Sequence, residues 1–72
     1  PVVQYSSARP FADMVTMYTN YLLAADWSVN RFGDPDEIPS TYFDAAKGNS
    51  EVNIILSVED EGTVVRISYL TR

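Results

Sequence analysis

The amino-acid sequence predicts a two-layer α+β sandwich, one helix packed on a four- to five-stranded, mainly antiparallel sheet in the order β-α-β-β-β. Two patterns carry that expectation. Between Pro10 and Trp27 the apolar residues recur at helical spacing, and in the last third of the chain they alternate with period two. A third observation sets the scale. The chain has 72 residues, 46 % of them hydrophobic, and no cysteine. That is enough for one domain near the lower limit at which packing alone holds a fold.

The elements follow in order. Val2 to Ser7, VVQYSS, is β-branched and aromatic and predicts a first strand. Ser7-Ala8-Arg9 links it to the helix, which runs from Pro10 to about Asp26. Pro10 suits the first turn, where a missing N–H costs nothing, and Asp13 lies near the positive end of the helix dipole. On a helical wheel Phe11, Met14, Val15, Tyr18, Tyr21, Leu22 and Ala25 form one stripe, while Asp13, Thr16 and Asn20 point away.

From Trp27 the period changes to two. Trp27 to Phe32 predicts a second strand, with Trp27 and Val29 facing inward and Trp27 clamped between helix and sheet. Gly33 to Ser40, GDPDEIPS, is a loop because two prolines and a Gly-Asp pair break regular structure. Thr41 to Ala46 predicts a third strand, closed by Lys47-Gly48-Asn49-Ser50. Then Val52, Ile54, Leu56 and Val58 alternate with polar or outward residues, and Val65, Ile67 and Tyr69 resume the pattern after Asp60-Glu61-Gly62. A two-residue loop at Asp60-Glu61 sets Leu56 opposite Val65, Ile54 opposite Ile67 and Val52 opposite Tyr69. A loop at Glu61-Gly62 shifts each pair by two and keeps the same face inward.

Composition excludes several functions. The net charge is −5, with ten carboxylates against five scattered cations, and such a surface repels nucleic acid and anionic lipid. No apolar run approaches the roughly 18 residues of a membrane span, so no membrane insertion is expected. Without histidine or cysteine the chain lacks the usual general base and the usual thiolate, and no catalytic residues are expected. Asp34, Asp36 and Glu37 share a loop, and Glu59, Asp60 and Glu61 a hairpin tip. The first lacks the ligands and the glycine of an EF-hand, with Pro39 at the sixth position, and neither offers nitrogen or sulfur to zinc. Solvated turn carboxylates are expected there, with neither a metal site nor a cofactor.

Met17-Tyr18, Leu22 and Ala24-Ala25-Asp26-Trp27, followed by the terminal hairpin, resemble the pattern of small β-α-β-β-β extracytoplasmic domains of bacterial lipoproteins and secreted proteins. That pattern has a strand, a helix ending in an aromatic-Tyr…Leu…Gly-Trp run, and a β-meander; Asp26 stands where it carries glycine. The resemblance implies an extracytoplasmic setting and brings no catalytic residues.

One outward set points to a partner. Ile55, Val64 and Leu70 alternate with the buried residues of the hairpin, and Leu23 lies on the outer flank of the helix. Residues 1–72 are therefore read as a single domain, a piece of a longer or processed chain because it opens on Pro1. Its expected role is a non-catalytic interaction or assembly module within a larger extracytoplasmic bacterial protein. The expected partner is protein, either a neighbouring domain or a second copy forming a homodimer, with Ile55, Val64 and Leu70 at the interface. A free-standing regulatory or inhibitor protein that masks a partner surface is the alternative. A subunit completing another protein's active site is the third.

Overall fold

A computed structural model describes residues 2–60 and 62–71. Five strands and one helix succeed each other as β1 (Val2–Ser7), α1 (Phe11–Ala24), β2 (Ser28–Arg31), β3 (Ser40–Lys47), β4 (Ser50–Glu59) and β5 (Gly62–Thr71). With Ser40–Lys47 a full strand of eight residues, the sheet has the larger of the two expected strand counts. Its spatial order is β1-β5-β4-β3-β2, and every neighbouring pair is antiparallel.

This order sends β1 and β2 to opposite edges, so the helix must carry the chain across one whole face. Its 14 residues span ~21 Å at 1.5 Å per residue. Five strands at about 4.8 Å spacing are ~19 Å wide. Helix length and sheet width therefore match, and the core lies between them.

The helix starts at Phe11 with Pro10 as its N-cap, one position earlier than the first-turn place the sequence suggests, and Met14 N–H bonds back to the Pro10 carbonyl at 3.1 Å. It ends two residues before the expected Asp26. Ala25 is the C-cap, and Asp26 takes a positive φ of 63°. Trp27 N–H donates to the Leu22 carbonyl and Asp26 N–H to the Leu23 carbonyl, the paired bonds of a Schellman motif. Lys47 Nζ adds a bond to the Ala25 carbonyl at 2.6 Å, a cation on the negative helix end.

Phe11, Met14, Val15, Tyr18 and Leu22 from the stripe meet Phe43, Ala45, Val52, Ile54, Leu56 and Val65 of the sheet in one core. The tilted rings of Tyr18 and Phe43 lie 6.4 Å apart between the layers. The hairpin register is the Asp60-Glu61 alternative, with Leu56 opposite Val65, Ile54 opposite Ile67 and Val52 opposite Tyr69; Glu61 itself lies outside the described residues.

Seven residues expected to face inward are less covered than the pattern suggests. Tyr21, Tyr69 and Val58 are 60 %, 42 % and 39 % exposed, Ala25, Trp27, Val29 and Ile67 are half-buried, and Trp27 precedes β2 rather than joining it. The reason is geometric: a single helix about 10 Å across cannot shield both flanks of a five-stranded sheet. Here the end of β5 is left open.

Candidate protein-docking corner

The uncovered corner is a crevice of about 340 Å³ between the second half of α1 and the ends of β4 and β5. Met17, Tyr21 and Trp27 form one wall, and Val52, Ile67 and Tyr69 the other. The helical period puts Tyr21 one turn beyond Met17 on the same flank, and the strand period puts Tyr69 two residues beyond Ile67 on the same face. Side chains of this kind combine apolar area with a polar tip, which suits a surface that is alternately wet and covered.

The corner runs on into the sheet edge. Residues Val2 to Ser7 of β1 pair with Ser68 to Thr63 of β5 without interruption, and among the described residues no strand lies on the other side of β1. Val3 and Tyr5 share the helix-side face with Ile67 and Val65, their partners. Val3 is 57 % exposed. Tyr5 bonds through its hydroxyl to that of Tyr18, which ties β1 to the helix. Burial, and then the bond to Tyr5, push the Tyr18 phenol well above the ordinary tyrosine range. At neutral pH the phenol keeps its proton, and the hydroxyl pair ties strand to helix.

The expected interface residues lie on the helix-free face, where Ile55 and Val64 are diagonal neighbours and Leu70 stands apart. Ile55 stands between Tyr42 and Arg66, Val64 between Ser57 and Ser6, and Leu70 beside Glu51. Ile55 and Leu70 are exposed and Val64 is half-buried. The row of Asn53 and Ser68 separates Ile55 from Leu70, a gap of about 13 Å along the strand. Leu23, on the helix, is on the other side of the sheet. What the face does gather is Tyr42 beside Ile55, with the Arg31 guanidinium 4.4 Å above the Tyr42 ring.

The acidic loop is engaged internally. Asp34 Oδ1 accepts from the Asp36 N–H, and Glu37 accepts two bonds from Arg31 Nη2 at 2.8 and 2.9 Å. The buried Thr41 hydroxyl donates to Glu37 and accepts from the Asp34 N–H. The bond from Arg31 to Glu37 chiefly holds the guanidinium above its usual range. Among the described residues no three His, Cys, Asp or Glu come together as a metal site, and no helix is long and apolar enough to cross a membrane.

Sequence reasoning missed the corner because Tyr21, Trp27 and Tyr69 satisfy a core pattern. The signal available was the ratio of one 14-residue helix to five strands, which leaves inward residues without a cover. No protein-family model, no curated protein and no solved structure matches this chain.

Proposed function

We propose that this chain is a non-catalytic interaction and assembly module of a larger protein, and that it meets a protein partner at the corner between α1, the end of β5 and the β1 edge. The observation that carries this is the continuity of an apolar crevice with a bare strand edge. An aromatic-rich pocket supplies anchor sites, and an unpaired edge supplies main-chain donors and acceptors, the two parts of strand-addition interfaces. The resemblance noted above implies a bacterial, extracytoplasmic setting for the larger protein. The helix-free face has a crevice of its own, about 510 Å³ between Glu37, Tyr42, Asn53 and Ile55, but it abuts the Glu37 loop and not a bare strand edge.

Photo-crosslinking in the full chain tests the assignment. A benzophenone side chain at Tyr69 should crosslink to one defined protein species, and Tyr21→Ser should abolish the product. The same group at Ile55 should give little. Crosslinking from Ile55 alone would move the interface to the helix-free face. No product from either position would remove the interaction role.

A further inference from the structure

We propose that the partner at this corner is a second copy of the chain, joined β1 to β1 in antiparallel fashion about a two-fold axis normal to the sheet and centred on Gln4. The proposal rests on the interaction role above and names its partner. A row of unpaired main-chain groups along β1 fits an extended strand and nothing else so well. Three properties single out β1 itself.

The first is charge. With a net charge of −5, two copies repel each other over most of their surfaces. Neither β1 nor β5 carries a carboxylate, and the charged residue on these two strands is Arg66. Edge-to-edge approach there brings no acidic groups together. The second is the absence of the usual guards: β1 has no charge, no proline and no bulge in its register.

The third is symmetry. Directly opposed residues across a two-fold antiparallel seam sit on the same face of the sheet. Centring on Gln4 puts Val3 of each copy opposite Tyr5 of the other, and Val2 opposite Ser6. Both exposed helix-side residues of β1 then gain a cross-strand neighbour. The two Gln4 amides meet on the helix-free face, donor to acceptor. A centre on Tyr5 would set Val3 against Ser7 and lose that match. The product joins two five-stranded sheets into one of ten, with both helices on the same face and the two crevices flanking the seam.

A chain without cysteine makes the test clean. Opposed Cα atoms in an antiparallel pair lie about 4.5–5.5 Å apart, within disulfide reach. Gln4→Cys should therefore form a disulfide dimer under mild oxidation, while Ser28→Cys on the other edge and Ile55→Cys on the helix-free face should stay at background. In sedimentation the wild type should dimerise with rising concentration. Val3→Lys should raise the dimer dissociation constant by about tenfold or more without changing the melting temperature of the dilute chain.

A wild type still monomeric at about 1 mM would overturn the proposal. So would crosslinking of Ser28→Cys as readily as Gln4→Cys, or a dimer indifferent to Val3→Lys. If the chain is monomeric but Tyr69 still crosslinks to another protein, the self-pairing fails and the interaction role survives. If neither occurs, both fall.

Discussion

The two edges of this sheet are built on opposite principles. At the β2 edge the strand is four residues long, and its register with β3 shifts between Val29 and Arg31. Arg31 is clasped by Glu37 and stacked on Tyr42. The following loop folds back so closely that Gly33 touches the Phe43 ring, and the Pro39 carbonyl accepts a bond from Val58 N–H. Short length, a bulge and a charge are standard ways of stopping a strand from recruiting another. At the β1 edge six uncharged residues run in unbroken register, and among the described residues no strand lies beyond them. One sheet thus has one closed edge and one open edge. That contrast is the ground for the pairing proposed at β1.

Substitution of a glycine near each edge should have the largest effect, and a different one at each edge. A Cβ at Gly62 would lie 2.0 Å from the Ser7 carbonyl oxygen, main chain that cannot step aside without shifting the end of β1. Gly62→Ala should destabilise on the order of 3 kcal/mol, the upper end for overpacking, and speed amide exchange at Ser6 and Ser7 while β2 stays protected. At Gly33 a Cβ would meet the Phe43 ring at 2.7–3.2 Å, and that ring is fully buried. Gly33→Ala should cost about 1–2 kcal/mol and loosen the 33–39 loop instead. Denaturation with exchange read by NMR separates the two. Equal loosening at both edges from either substitution would show that the edges are not independent.

Much of this was legible in the residues and some was not, for physical reasons. Ile54, Leu56 and Val65 follow from strand alternation, since any register compatible with the turn puts them inward. Phe11, Met14, Val15 and Leu22 follow from the helical period. Periodicity reports which face a residue is on, not whether another layer covers it, so Tyr21 and Tyr69 read as core although the helix leaves them open. Sheet order is a long-range property. Nothing local places β1 beside β5, and without that pairing the bare edge cannot be seen. Alternation puts Ile55, Val64 and Leu70 on one face, but the Asn53–Ser68 row that sets Leu70 apart from the other two appears only when the strands are aligned.

The two sides also differ in the chemistry that ties them, and pH sharpens the contrast. β1 is held to the helix by the Tyr5–Tyr18 phenol pair, whereas β2 and its loop are held by an ion pair. The Tyr18 phenol keeps its proton in the fold to a higher pH than in the unfolded chain, where tyrosine ionises near about pH 10. Below that value both states carry the proton and the shift has no effect. Above it the unfolded state alone loses the proton, so stability falls as pH rises. Tyr18→Phe should cost about 1 kcal/mol at neutral pH for the lost hydrogen bond, and should flatten the decline above pH 10. A wild type and variant that decline in parallel would show that Tyr18 does not carry the alkaline loss. Salt, by screening the exposed Arg31–Glu37 pair, should act on the other edge.

The smallest effect is expected where the helix hands the chain to the closed edge. Asp26 occupies the left-handed position of the Schellman turn, φ 63°, which favours glycine because a Cβ crowds the adjacent carbonyl. Its carboxylate also stands at the negative end of the helix dipole, against the preference for cations there. Asp tolerates this conformation better than most residues, so the backbone penalty is modest, and glycine would lose some of its advantage to the greater freedom of its unfolded chain. The balance favours glycine: Asp26→Gly should stabilise by about 0.5–1 kcal/mol. Asp26→Asn divides the two causes, because it removes the charge and keeps a side chain that accepts positive φ. If Asn recovers the whole gain, the dipole is responsible; if Asn does nothing and Gly stabilises, the backbone is. The Lys47 ammonium bonds to the neighbouring Ala25 carbonyl, so Lys47→Met should weaken the same helix end by removing the cation from its negative pole. Thermal denaturation of the three variants measures this, and a loss of stability in both Asp26→Gly and Asp26→Asn would mean that the carboxylate contributes to the turn.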